Sequence, residues 1–306
     1  MSTAPLTNVN GSGNPAQNDT TAELDAASIV LGWEALARRR PRQHAEISWG
    51  ARSDIGRARE NNEDKFDFFL PDDAPTLAVK GRLWAVADGM GGHNAGQIAS
   101  EAALKSIIRA YFADPGENVA DSLRAAIAGA NALIFHAARQ FPDRQGMGTT
   151  VLVAVAHEDT LTLAHVGDSR AYLLRDGSLR LLTDDHSWVE EQVKRGSLTR
   201  EEAQTSPYRN VITRSIGIGE SVQSDILTER LREGDVILLC SDGLSGFIDE
   251  AAIRERLERA SPSAAALALI DAANDAGGRD NITALVLTVR RIASYPGDGE
   301  AAAAAG

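Results

Sequence analysis

Apolar side chains recur along this chain with two different periods. Short runs of four to eight residues, at 66–70, 83–87, 151–156, 161–166, 171–174, 236–240 and 282–289, are mostly bounded by turn residues and predict β-strands. Longer Ala- and Leu-rich stretches at 95–112, 118–140, 249–260 and 263–275 space their apolar residues three and four apart and predict helices. The order is strands, two long helices, many strands, a polar helical insertion at about 186–204, strands, two helices and a strand. Clustered hairpins and paired helices predict an α+β fold, with antiparallel sheets carrying helices on their outer faces. The pattern continues without a Pro/Ser-rich linker or a fixed-period repeat, so one domain is expected over 45–292.

The ends differ from this body. Residues 1–20 are rich in Asn, Thr, Ser, Gly and Pro and are expected to be disordered. Thr20 and Glu23 then have capping-box spacing, and Leu24, Ile29, Leu31, Trp33 and Leu36 give a short helix to the 1–44 extension. Arg38, Arg39 and Arg40 before Pro41 read first as helix termination, with a docking helix as the alternative. The tail, 293–306, is expected to be flexible.

Composition narrows the classes. A 43% hydrophobic share suffices for a large core. The single cysteine, Cys240, excludes a disulfide framework and a multi-thiolate zinc site, and fits a reducing compartment. Charge is 31 − 43 = −12, which argues against nucleic acid as a partner. No apolar run reaches the roughly 18 residues of a membrane span, and the amino terminus lacks a secretion signal's basic start and apolar stretch. The expectation is a cytoplasmic monomer with no membrane or nucleic-acid partner.

The acids fall at strand junctions. Predicted strands end at Asp88, Asp168 and Asp242, each beside a glycine, and others begin just after Glu63–Asp64 and Asp280. Singly, each reads as a turn residue. Together they also fit one rim of an antiparallel sheet, where some strands end and others begin. Such a rim repels itself unless some acids are protonated or cations sit among them. Oxygen ligands without a His/Cys cluster favour Mg²⁺ or Mn²⁺ over zinc. Two such ions roughly 3.5–4 Å apart would clamp a phosphoryl oxygen and acidify a bridging water. Arg59 can lie beside the same rim and grip phosphate oxygens, or it is a solvated loop charge.

Eight segments then resemble one family in its order: RARENNED (57–64), ADGMGGH (87–93), GMGTT (146–150), GDSRAY (167–172), DHS (185–187), NVITR (210–214), CSDGLS (240–245) and GRDNIT (278–283). They are similar to the bacterial metal-dependent protein phosphatases, the PPM or type 2C family. The resemblance implies a four-layer α-β-β-α sandwich of two antiparallel sheets flanked by antiparallel helix pairs. It implies two Mn²⁺ or Mg²⁺ ions, with room for a third, and hydrolysis of phosphoserine and phosphothreonine in proteins by a metal-bridging hydroxide. Its partners would be phosphorylated proteins, targets of a Ser/Thr kinase. Position by position, Asp88 would bridge the ions, Gly89 would lend its carbonyl, and Asp242 and Asp280 would complete the first ion's protein ligands. Glu63 and Asp64 would hold metal-bound waters, Asp64 near the second ion. Asp168 would serve the third, Arg59 the phosphate, and Asn281 would stand behind the ligands. The insertion at 185–208 resembles the family's flap.

The chain departs from the family in two places. Met90 stands where animal members have histidine, and His93, three residues on, is left between a general acid and a structural or supporting role. Ser206-Pro207-Tyr208-Arg209-Asn210 replaces a common His-Pro pattern, and no flap aspartate is assigned to the third ion. A cysteine-based phosphatase is excluded, because Gly246 holds the place its phosphate-loop arginine would take, leaving Cys240 a core thiol. The other metal-dependent Ser/Thr class needs a GNHE-type motif that is absent. Two other readings remain: a non-catalytic phosphoprotein- or kinase-binding regulator of the same fold, and a small-ester phosphatase.

Overall fold

A computed structural model describes Glu34, Arg39, residues 41–91 and residues 95–294. The expected disordered start, most of the first helix, His93 and the tail from 295 lie outside the described residues. The chain divides into two compact units, Met1–Arg38 and Arg39–Gly306. In the first, Glu34 is helical.

The second unit is built on two five-stranded antiparallel sheets. The strands are β1 (Gln43–Asp54), β2 (Lys65–Phe69), β3 (Arg82–Ala87), β4 (Gly89–Met90), β5 (Gly148–Thr149), β6 (Val151–His157), β7 (Thr160–Val166), β8 (Arg170–Arg175), β9 (Ser178–Leu181), β10 (Asp225–Arg230), β11 (Val236–Cys240) and β12 (Ile282–Ser294). One sheet runs β1-β12-β11-β8-β9, the other β10-β7-β6-β3-β2, and β4 and β5 form a small ribbon. The helices are α1 (Ala74–Lys80), α2 (Ala95–Ala113), α3 (Val119–Gln140), α4 (Trp188–Lys194), α5 (Arg200–Thr205), α6 (Asp242–Ser245), α7 (Glu250–Arg259) and α8 (Pro262–Asp275).

Side-chain alternation explains the layers. Trp84, Val86, Leu152 and Leu163 from one sheet meet Leu173, Leu239, Leu285 and Leu287 from the other between the sheets. The opposite faces of the same strands pack outward: Leu83, Ala85, Val151 and Val153 against α2 and α3, and Leu238, Cys240 and Val286 against α7 and α8. Central strands covered on both faces read as unbroken apolar runs, which is why VLVAVA and VILLC were legible. The result is the expected four-layer α-β-β-α sandwich of antiparallel sheets. Among the described residues, no helix is long and apolar enough to cross a membrane.

The short β4, β5 and α6 went unread in the sequence, and so did four longer elements. β1, β9 and β10 are polar-rich sheet-edge strands, and their outward side chains interrupt the apolar pattern. Helix α1 is only seven residues long, started by an Asp73 side chain that accepts from the Thr76 N–H. The polar insertion is not one helix: α4 stops at Arg195, Gly196 turns with φ +72°, and α5 starts from a Thr199–Glu202 capping box.

Candidate metal centre

Register brings the acids to one end of the sandwich. Lys65 pairs with Ala87 across β2 and β3, so Asp64 and Asp88 are rim neighbours. Cys240 pairs with both Arg170 and Ala284, which puts Asp242, Asp168 and Asp280 at the matching end of the other sheet. Ladder hydrogen bonds, not proximity in sequence, thus assemble the cluster.

Each acid is held by its own turn. Asp64, 1% exposed, accepts from the Ser241 and Thr283 hydroxyls at 2.6 and 2.7 Å through one oxygen, while its other oxygen has no partner. The Asp88 peptide is pinned from both sides: its N–H donates to Thr150 Oγ1 at 2.9 Å, and its carbonyl accepts from Thr149 Oγ1 and the Thr150 N–H, each at 2.8 Å. Thr150 continues to Ser169 at 2.8 Å, beside Asp168. Asp280 accepts from the Asn281 N–H and from Arg59 Nη2, both at 2.8 Å. Asn281 receives the Glu63 N–H on its Oδ1 and donates to the Ile55 and Asn61 carbonyls, locking the 55–63 loop against the start of β12.

The electrostatics are those of crowded, buried carboxylates. Burial is the largest influence on Asp64, and with Asp242 and Asp280 nearby it lifts the carboxyl to about 7 against two hydroxyl hydrogen bonds. Burial and the Asp242 and Asp185 charges lift Asp168 to about 8. Asp88 is raised well above its usual range by burial and then by Asp64, Asp242, Asp168 and Asp280 together. Asp242 is also raised, by burial and Asp280, with Asp88 and Arg59 opposing. Glu63 is raised by burial, with Arg59 opposing. Arg59 is 53% exposed in its side chain. Burial alone would weaken its charge; Asp280, Asp88 and Glu63 more than offset this, so it sits at the mouth as a firmly held cation.

Whether this chemistry fits hard cations is decided by its spare oxygens. Asp64, Asp168 and Asp242 each bury one carboxylate oxygen without a partner, and a buried anionic oxygen left bare is costly. Among the described residues, no three His, Cys, Asp or Glu side chains close into a ready-made cage. The two facts agree for Mg²⁺ or Mn²⁺, since hard octahedral ions keep several waters and do not need an all-protein cage. A tight thiolate–imidazole site is what the arrangement excludes. Gly89 has a packing reason of its own: a Cβ there would lie 2.1 Å from the Gly96 carbonyl oxygen, so only glycine lets α2 approach the rim.

Seven of the sequence-predicted residues therefore meet at one rim, with Gly89 and Asn281 beside them; His93 lies outside the described residues. Sequence reasoning missed the hydroxyl supports Thr149, Thr150, Ser241 and Thr283. Ser241 and Thr283 lie inside the CSDGLS and GRDNIT motifs and Thr149 and Thr150 inside GMGTT, but a hydroxyl there is indistinguishable from an ordinary turn residue.

Fold and site together define a class: a two-sheet sandwich whose acid-lined end suits hard divalent cations. A family model described as Protein phosphatase 2C matches residues 57–275. The serine/threonine protein phosphatase PstP of Mycobacterium tuberculosis is 38% identical over 243 residues, 79% of this chain. The chain spans about half of that relative's length, 45%. The serine/threonine phosphatase stp of Listeria welshimeri is 37% identical over 249 residues, covering 80% of this chain and 95% of that protein. The solved catalytic domain of PstP in complex with two manganese ions superposes with a TM-score of 0.69 at 36% identity, covering 81% of this chain and 99% of that one. This chain belongs to the protein phosphatase 2C family.

Proposed function

We propose that this chain is a protein serine/threonine phosphatase using two Mn²⁺ or Mg²⁺ ions, with a third, weaker one at Asp168. The observation that carries this is the meeting of Asp64, Asp88, Asp168, Asp242 and Asp280 at one end of the sandwich with buried oxygens to spare. The names of the relatives and the two manganese ions in the PstP structure support it.

In this reading Asp88, Asp242, Asp280 and the Gly89 carbonyl would hold the ions, and Glu63 and Asp64 would hold their waters, Asp64 near the second ion. When bound, the ions supply Lewis acidity and lower the pKa of a water for direct attack on phosphorus. The chain's own residues do the rest. Thr149 and Thr150 fix the Asp88 peptide, which sets the point from which its carboxylate reaches into the rim. Arg59 holds Asp280 in the resting protein. Its half-exposed fork can turn to two oxygens of a phosphate dianion, which neutralises substrate charge and frees the Asp280 oxygen.

The test is turnover of a phosphothreonine peptide with Mn²⁺. EDTA should abolish it, and Asp242→Ala should lower kcat/KM by about 10² to 10³-fold. EDTA-resistant turnover that also survives Asp242→Ala would overturn the proposal.

A further inference from the structure

Two of the sequence motifs, DHS at 185–187 and NVITR at 210–214, have no part in the phosphate chemistry above. The structure joins them at the loop that carries Asp168. That loop leaves β7 through Gly167, whose φ is +116° and where a Cβ would lie 2.6 Å from Thr150 Cβ. A loop so tightly seated has little freedom at the backbone on which Asp168 is mounted.

His186 grips the Gly167 peptide on both sides. Its backbone N–H donates to the Gly167 carbonyl at 2.8 Å, and its Nδ1 accepts the Gly167 N–H at 3.0 Å. A ring nitrogen that accepts an N–H carries no proton, so the neutral imidazole keeps its hydrogen on Nε2. That atom lies 3.2 Å from Asp225 Oδ2, bent from a linear hydrogen bond. Asp225 is in turn held by Arg214 Nη1 at 2.8 Å, and the Thr213 N–H donates to the His186 carbonyl at 2.8 Å. NVITR thus braces DHS. His186 is 2% exposed and stacks on the fully buried His165, ring centroids 4.7 Å apart. Burial, the largest influence on both, lowers His186 and pushes His165 down to about 3, consistent with two neutral rings. Asp185 adds a second tie, accepting three hydrogen bonds from Arg170 at 2.7 to 3.2 Å on the far side of Asp168.

We infer that His186 is a positioning residue: its Nδ1 and backbone N–H clamp the Gly167 peptide so that Asp168 presents its unpartnered oxygen to the weaker cation, with Asp225 and Arg214 fixing the ring's tautomer. The inference rests on the reading of Asp168 as that cation's ligand. It concerns binding at that position, not the chemical step. It also gives the 185–208 insertion a physical link to the acid cluster, because the insertion's first residues hold the loop on which one of the acids is mounted.

The two ring nitrogens can be told apart by amide replacements. Asparagine places an oxygen near Nδ1 and glutamine places one near Nε2, so the two variants disturb the stacking alike but differ in the Gly167 bond. In calorimetric titration of the full chain with Mn²⁺, Asp168→Ala defines the weak-site component. His186→Gln should weaken that component about ten-fold and speed hydrogen exchange at the Gly167 amide. His186→Asn should restore both towards wild type, and His186→Gln should add nothing in the Asp168→Ala background. Wild-type titration by His186→Gln, or equal loss in both folded variants, would overturn the inference. If Asp168→Ala leaves the titration unchanged, the weak-site reading fails and the inference with it. That outcome is distinct from failure of the dinuclear reading, in which the strong-site heat itself is missing.

Discussion

A buried carboxylate is governed by the groups that touch its second oxygen. Asp64 would be hard to ionise in its nearly sealed position, and the Ser241 and Thr283 hydroxyls are what pull its pKa back down. Thr283→Val keeps the shape of the side chain and removes one donor. It should raise the Asp64 pKa further, and the Mn²⁺ concentration for half-maximal turnover at neutral pH should increase about ten-fold. An unchanged Mn²⁺ dependence would show that Asp64 is not near an ion. At this level the sequence was partly legible. Aspartates that close an apolar run next to glycine stand out, because the run ends where the sheet ends. Hydroxyls do not, since Ser and Thr near an acid are ordinary turn residues and only the fold shows that Thr283 of β12 and Ser241, just past β11, converge on Asp64. Arg59 had two readings from sequence, and the structure places it at the rim on Asp280.

Elements were legible where both faces are covered and obscure where one is wet. β6 and β11 are buried throughout or nearly so, while β10 alternates with solvent and pairs only with β7. Helix α3 hides another feature. Asn131 looks like a polar-face residue in an Ala-rich helix, yet it is 1% exposed. Its amide donates to the Gly219 and Glu220 carbonyls at 3.0 and 3.2 Å and accepts the Gly217 N–H at 2.8 Å. It is the peg that fixes the return from the insertion to β10. Asn131→Leu leaves those backbone groups unpaired in a dry place and should cost at least about 2 kcal/mol of stability, read from urea unfolding. A smaller loss, under about 0.5 kcal/mol, would mean water takes over the contacts.

For the whole molecule, the acid cluster stores a conflict between folding and charge. Asp64 and Asp168 have folded-state pKa values raised to about 7 and about 8, and Asp88 and Asp242 are raised too. A raised carboxyl contributes stability that is fully present below its unfolded pKa, about 4, and is lost as pH climbs through the folded value. The metal-free protein in EDTA should therefore lose Tm between about pH 5 and pH 8.5, by roughly 5 °C or more. Added Mn²⁺ should reverse the loss and release protons on binding. A flat or rising Tm in EDTA over that range would contradict the crowding of ionisable acids. The net charge of −12 gave no hint of this arrangement, because it counts acids without saying which of them share an end of the sandwich.

The most direct measurement is anomalous diffraction at the manganese edge from crystals grown with Mn²⁺. Two strong peaks about 3.5–4 Å apart, with Asp88 between them and Asp64, Asp242 and Asp280 around them, are the expected result. Crystals saturated with Mn²⁺ that show no ordered peak at this rim, or show manganese only elsewhere on the surface, would contradict it.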